Sequence, residues 1–234
     1  MEESSRSKKI LLATLIVLVL LFSIFVSLKL DHNNRSTLFQ NFVRDNPNAM
    51  EAFERLKEVT PENAVIFSWW DYGRAIEEFG HRKAVVAYAS KEMMESVGES
   101  RNPIHAFEMQ LFGKFETHER IKDVARAFLL PEGEALTIMR KYGANYVMVF
   151  CEEGGYGAFD DLYKLPWIAK IAGYNITDYL TIIGVGEARH YILGPKAEGA
   201  TILRLIYDEQ FHPRYFTKIF ENEVAKIYKI NYME

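Results

Sequence analysis

The sequence predicts a mixed α/β globular domain with a β-rich carboxyl-terminal part, preceded by a single transmembrane helix. Three observations carry that expectation. Ile10 to Leu28 is an uncharged, almost wholly apolar run of roughly 19 residues, long enough at about 1.5 Å rise per residue to cross a hydrocarbon core. Further on, buried apolar runs alternate with helical patterns, which favours a sheet with parallel pairing. From Tyr179 onward, β-branched and aromatic runs succeed one another with turn signals such as Gly194-Pro195 between them.

Arg6, Lys8 and Lys9 precede the apolar run, against Lys29 just after it. The positive-inside rule makes residues 1–9 a cytoplasmic tail, 10–28 a membrane anchor and the remainder extracytoplasmic. No small-x-small cleavage site follows at Ser27-Leu28-Lys29, so the anchor is expected to stay uncleaved in the cell membrane as a single pass. Residues 29–46 are polar and without clear period, a linker or irregular helix, and the domain is expected over 47–234. With 234 residues, 49% of them hydrophobic, and a net charge of −4, the chain suits one domain with a sizeable core plus an appendage. Nothing basic points to nucleic acid. Cys151 is the only cysteine, so no intrachain disulfide holds the fold.

Asn48 to Glu58 carries Met50, Phe53 and Leu56 at steps of three and reads as an amphipathic helix ended before Pro61. Ala64 to Phe67 is the first expected strand, followed by a short helical pattern, Arg74 to Phe79. Lys83 to Ala89 reads as a second buried strand, and Ser90 to Val97 as a helix with a Ser cap. Ile104 to Pro131 is expected to be helical in at least two pieces, and Glu132 to Lys141 to be a further helix with Gly143 past its end. Tyr146 to Phe150 reads as the third buried strand. The expected strands of the tail are Tyr179 to Val185, Arg189 to Leu193, Ile202 to Tyr207, Phe216 to Phe220 and Val224 to Ile230. The last alternates apolar and polar residues, as a half-exposed edge strand does. Gly154, Gly155 and Gly157 beside Glu152 and Glu153 read as a flexible turn, because carboxylates repel phosphate and no Gly-Lys-Ser/Thr follows.

The chemistry concentrates at Ser68-Trp69-Trp70-Asp71-Tyr72-Gly73, directly after the first strand. Successive large polar-tipped side chains cannot all face one way on a strand or a helix, so a turn is expected here, eased by Gly73. Indole N–H groups only donate, an ionised carboxylate only accepts, and a hydroxyl does both. Trp69, Trp70 and Asp71 could therefore saturate one hydroxyl at the carboxyl end of a strand. The residues alone favour the plainer alternative, two core tryptophans and an Asp71 that caps its own helix.

The Trp-Trp-Asp-Tyr-Gly run resembles the acceptor-recognition motif of the catalytic subunit of oligosaccharyltransferase, the membrane enzyme of protein N-glycosylation, in its archaeal type. A second stretch, Asp161-Leu162-Tyr163-Lys164-Leu165-Pro166-Trp167-Ile168, is similar to that family's Asp-x-x-Lys-x-x-x-Ile/Met helix. The resemblance implies the C-terminal globular domain of the subunit and runs, with gaps, from about Pro47 to Asn231. It implies that Trp69, Trp70 and Asp71, supported by Tyr72 and Gly73, hold the Ser/Thr hydroxyl of an Asn-X-Ser/Thr polypeptide. It further implies that Asp161, Lys164 and Ile168 complete the pocket, Ile168 meeting the acceptor methyl. Burying one methyl is worth about 0.8 kcal/mol, so Thr acceptors are expected over Ser by roughly fourfold. Read without the resemblance, Asp161 and Lys164 are an exposed i,i+3 ion pair and Ile168 is ordinary core. Pro166 is at odds with an unbroken helix there.

The family's catalysis uses carboxylates from a multi-spanning region that hold a divalent metal. No such pair is expected in this sequence, where Asp160-Asp161 reads as solvated helix-start charge. The six histidines, at 32, 81, 105, 118, 190 and 212, show no zinc spacing. No catalytic residue and no bound cofactor is therefore expected; Mg or Mn would enter only with a catalytic partner subunit. Asn34-Arg35-Ser36 and Asn175-Ile176-Thr177 are themselves acceptor sequences. Three functions follow for testing: an extracytoplasmic reader of Asn-X-Ser/Thr segments that is not catalytic alone, a transferase active alone or split with a membrane subunit, and an interaction protein that keeps the fold.

Overall fold

The computed structural model describes residues 14–29, 38–97, 113–151, 158–184 and 190–232. The chain divides into two compact units, Met1–Leu38 with Glu99–Lys114, and Phe39–Gly98 with Phe115–Glu234. In the first unit residues 14–29 form helix α1, whose Leu15, Ile16, Leu18, Leu21, Phe22 and Ile24 are all exposed. Residues 10–13 of the expected anchor lie outside the described residues, and among the described residues no helix is long and apolar enough to cross a membrane.

The second unit opens with α2 (Leu38–Asp45), which already contributes Val43 to the core, and α3 (Pro47–Val59). Asn46 caps α3 by accepting the Ala49 N–H at 3.0 Å, with Pro47 at the position where its missing N–H costs nothing. Ala49, Ala52, Phe53 and Leu56 form the buried stripe, as the spacing of three and four requires.

The remaining elements are β1 (Val65–Phe67), α4 (Trp70–Glu78), β2 (Lys83–Ala84), α5 (Lys91–Val97), α6 (His118–Leu129), α7 (Glu132–Lys141), β3 (Tyr146–Phe150), α8 (Asp161–Ala172), β4 (Leu180–Ile183), β5 (His190–Leu193), α9 (Thr201–Ile206), α10 (Asp208–Phe211), β6 (Phe216–Glu221) and β7 (Ala225–Ile230). Five strands form one sheet in the order β2-β1-β3-β7-β6, and β4-β5 is a separate hairpin. β1 runs parallel to both β2 and β3, while β3, β7 and β6 are antiparallel. The sheet is thus mixed, with the expected parallel pairing in its first half. All five residues of β3 are buried, which explains an apolar run without alternation.

Four expectations are corrected. Lys83 to Ala89 is not a full strand: only Lys83 and Ala84 pair with β1. The chain then leaves the ladder to pass over α4 at Gly73, where a Cβ would lie 1.9 Å from the Val86 carbonyl oxygen. Gly73 accordingly sits inside a helix and serves close approach rather than a turn. Ile202 to Tyr207 is helical: Ile202, Leu203, Leu205 and Ile206 are buried and Arg204 is partly buried, a helical spacing that a short apolar run hides. β7 is no edge strand, since it pairs with β3 on one side and β6 on the other. Its Lys226, the polar half of the alternation, is buried against the Ile206 carbonyl and Asp208.

Gly143 takes the left-handed conformation at φ 67° after α7, as expected. α5 begins as read, with Ser90 Oγ accepting the Met93 N–H at 3.2 Å. Residues 104–112, the glycines between 152 and 157, and Asn34 lie outside the described residues. Asn175 is exposed, and its Oδ1 accepts the Thr177 N–H at 3.2 Å.

Candidate functional site

The site grows out of the carboxyl ends of β1 and β3. As the chain leaves β1, buried Ser68 donates from Oγ to the Met148 carbonyl at 2.8 Å, tying the exit of one strand to its neighbour. Trp69 then takes extended backbone as the N-cap residue of α4, so the cap position is not Asp71. Trp69 is buried at 2% exposure; Trp70 is half-buried at the first helical position. Asp71 lies in the first turn of α4, where the unpaired N–H groups favour a negative charge.

α8 supplies the opposite side. Asp160 caps it, accepting from Leu162 N at 2.9 Å and Tyr163 N at 3.2 Å through Oδ1, while the Tyr191 hydroxyl of β5 donates to Oδ2. The helix continues through Pro166 to Ala172 and ends at Gly173, which has φ 81°. Pro166 removes the N–H that would have reached the Leu162 carbonyl. The helix survives because its buried face, Leu162, Leu165, Ile168, Ala169 and Ala172, is held by the core rather than by every backbone bond.

Between the two helices stands Tyr72, whose fully buried ring is stacked on Phe150 at 4.1 Å between centroids. Its hydroxyl donates to Asp161 Oδ1 at 2.9 Å and accepts from Lys164 Nζ at 2.8 Å. The other Asp161 oxygen accepts the Phe150 N–H at 2.8 Å. Lys164 Nζ also donates to the Ala158 carbonyl at 2.7 Å and meets Asp71 Oδ2 at 2.9 Å. Among the described residues its N–H groups thus face three acceptors. Asp71 Oδ1 is buried and has no hydrogen-bond partner among the described residues.

Asp161 and Lys164 are therefore not the exposed i,i+3 pair that the residues alone allowed. Both are buried, and the Tyr72 hydroxyl links them. Asp160 and Asp161 are likewise not solvated charge: they are 2% and 0% exposed. Burial pushes the Asp161 carboxyl up to about 7, against the lowering effects of Lys164, the Phe150 N–H and the Tyr72 hydroxyl. The Tyr72 hydroxyl is held well above its ordinary range by burial, then by Asp161 and Asp71. Burial also takes the Cys151 thiol, half-buried at the end of β3, up to about 11, which disfavours its thiolate.

Of the residues singled out in the sequence, the structure joins Asp71, Tyr72, Asp161 and Lys164 in one network, with Trp69 and Trp70 preceding it in the chain. Ile168 lies one turn beyond Lys164 and has no exposed surface. The sequence named Tyr72 as support for the motif but not as the hub of the network. A Tyr inside an apolar environment needs a partner for its hydroxyl, and that requirement was the available signal for pairing Tyr72 with the distant α8. Nothing in the sequence marks the Tyr191 contact to Asp160. The carboxylates here face a lysine, hydroxyls and backbone N–H groups. Among the described residues no group of three or more His, Cys, Asp or Glu side chains could hold a metal ion.

A family model described as HaoA-associated protein HaoB matches residues 24–167, more than half of the sequence. The chain belongs to that family. The HaoB-family chain is also 31% identical over 143 residues to the STT3B subunit of the dolichyl-diphosphooligosaccharide–protein glycosyltransferase of Oryza sativa subsp. japonica, covering 61% of this chain and 15% of the relative. It is 32% identical over 124 residues to the same subunit of Arabidopsis thaliana, covering 53% and 13%. The chain thus spans a small fraction of the curated relatives it matches. Among solved structures, the C. jejuni PglB C-terminal domain matches with a TM-score of 0.50 at 8% identity, over 78% of this chain and 99% of that one. The resemblance to the C-terminal globular domain of the oligosaccharyltransferase catalytic subunit, read first from two motifs, is shown by these matches. The PglB match carries the fold alone.

Proposed function

We propose that the HaoB-family chain takes part in protein N-glycosylation as an extracytoplasmic domain that binds Asn-X-Ser/Thr segments, and that it works with a separate catalytic subunit. The observation that carries this reading is the Asp71 carboxylate: one oxygen is neutralised by Lys164, while the other is buried without a partner among the described residues. An acceptor hydroxyl that reached this covered oxygen would satisfy it, with Trp69 and Trp70, which precede it in the chain, as candidate donors once the site opens. Support also comes from the glycosyltransferase subunits that share about a third of their residues with this chain over the matched span. Ile168 would reach an acceptor methyl only after α8 shifts, because it is fully covered. The exposed apolar surface of α1 supports a single membrane anchor with residues 1–9 on the cytoplasmic side. Any divalent metal would belong to the catalytic partner.

The test is the affinity of the full chain, in lipid nanodiscs, for peptides containing Asn-Ala-Thr and Asn-Ala-Ala, measured by calorimetry. A site shaped for a hydroxyl rejects the analogue lacking it, because buried polar groups are left unpaired; binding of the Thr peptide alone supports the reading. A second reading, an interaction protein that keeps the fold, draws on a family description naming association with HaoA. Equal affinity for the two peptides would favour it and sink the first.

A further inference from the structure

We infer that Tyr72 and Asp161 are positioning residues for Asp71: together they aim Lys164 so that it neutralises one oxygen of Asp71 and leaves the other for a ligand hydroxyl. This rests on the function proposed above and deepens it. Neither residue would touch the acceptor, since both are fully buried.

The direction of each hydrogen bond makes the arrangement specific. In the arrangement described Tyr72 accepts from Lys164 while its own proton points at Asp161 Oδ1. Asp161 can take that proton only while it is ionised at that oxygen, and its second oxygen already receives the Phe150 N–H. A proton added to Asp161 must therefore face a donor on either side, Tyr72 O–H or Phe150 N–H. The weaker resistance lies at Tyr72, whose hydroxyl can rotate where a strand N–H cannot. Rotation turns a proton toward the Lys164 ammonium, and that hydrogen bond is lost. Lys164 then has the Ala158 carbonyl and Asp71 left of the three acceptors described, and its ammonium is no longer fixed between them.

The titratable groups around Asp161 come from each neighbouring element. Asp71 and Tyr72 stand on α4, Asp160 and Lys164 on α8, Cys151 at the end of β3, and Tyr191 on β5 reaches Asp160. Lys164 is the cation bonded into the network. Burial brings Asp161 into the neutral range, the window in which the relay would respond.

The experiment measures the Asn-Ala-Thr peptide on the full chain in nanodiscs at pH 6 and pH 8, for wild type, Asp161→Asn and Tyr72→Phe. It also follows the carboxyl carbon shifts of Asp71 and Asp161 through a pH titration of the peptide-free wild type. Wild-type binding is expected to weaken at least threefold from pH 8 to pH 6. Asp161→Asn should bind at the acid level at both values. Tyr72→Phe should bind about tenfold more weakly at pH 8. In the free protein the Asp71 signal should move in step with Asp161. An Asp71 signal that ignores the titration of Asp161 overturns the inference, and needs neither peptide nor variant. So does an Asp161→Asn protein that keeps the wild-type pH dependence. Loss of discrimination between Thr and Ala peptides, with the Asp71 shift still following Asp161, would instead overturn the proposed function and leave the relay standing.

Discussion

Gly73→Ala gives a decisive test of how the Trp-Trp-Asp-Tyr-Gly segment is packed. A Cβ at this position would stand 1.9 Å from the Val86 oxygen, 2.5 Å from Ala87 Cα and 2.8 Å from Val86 C. All three are backbone atoms, so no side chain can swing away. The segment is also pinned on its other side, where the Val85 N–H donates to the Ile66 carbonyl at 2.9 Å. Relief requires α4 to lift or the 85–87 segment to part from β1. Two effects oppose each other: replacing Gly by Ala inside a helix gains about 1 kcal/mol, while forcing atoms into a filled core costs about 1–3 kcal/mol. With backbone as the obstacle the cost belongs at the upper end, which leaves a loss of about 2 kcal/mol and, for a domain of this size, a drop of about 4–8 °C in Tm. Thermal unfolding followed by near-UV circular dichroism and tryptophan fluorescence of the full chain reads this directly. A Gly73→Ala protein at least as stable as wild type would mean that α4 does not meet the chain at residue 86, and the placement of Asp71 and Tyr72 would fall with it.

Two further outcomes are expected. The Asp161 carboxyl is raised from its ordinary 3.8 to about 7, so the folded state holds its proton more tightly than the unfolded chain does. That stability is fully present below about pH 4 and is lost as pH rises through about 7, by a few kcal/mol; Asp161→Asn should flatten this limb in urea titrations between pH 4 and 8. The trend is opposite in sign to the effect on peptide binding, so the two cannot be confused. Removing Arg204, by Arg204→Met, leaves Glu132 buried without its cation, still accepting from the Arg214 N–H at 2.8 Å and the Tyr215 N–H at 3.0 Å. A loss of about 3 kcal/mol is expected, seen as a lower denaturant midpoint with an unchanged slope.

The first half of the sheet was legible in the sequence because β1 and β3 are covered by other elements, and burial on every side writes an unbroken apolar run. α3 was legible from its stripe and its terminal proline. What failed did so for identifiable reasons. Val85, Val86, Ala87 and Ala89 are buried and so look like a strand, although after the Val85 N–H has bonded to the Ile66 carbonyl the backbone passes over α4 at Gly73 instead of continuing the ladder. α9 is too short for its period to declare itself. β7 looked half-exposed because Lys226 was counted as a surface residue, whereas Asp208, Glu221 and the Ile206 carbonyl receive its ammonium inside the fold. At the site, residue types and the two motifs picked out Asp71, Asp161 and Lys164, but pairing depends on which helix faces which. Read without the resemblance, Lys164 was matched with its sequence neighbour Asp161, whereas among the described residues it forms an ion pair with Asp71 across the site.

The position of β7 bears on how the domain is made. Phe150 must wait for Ala225, and Tyr146 for Lys229, before the inner edge of β3 finds its hydrogen-bonding neighbour. During synthesis, therefore, the most apolar strand of the sheet emerges long before the segment that shields it. An unpaired edge of that kind templates association with other chains. Release of the polypeptide before residue 230 would leave this edge open, so a nascent chain is expected to need a holding factor until the final antiparallel pair has zipped into place.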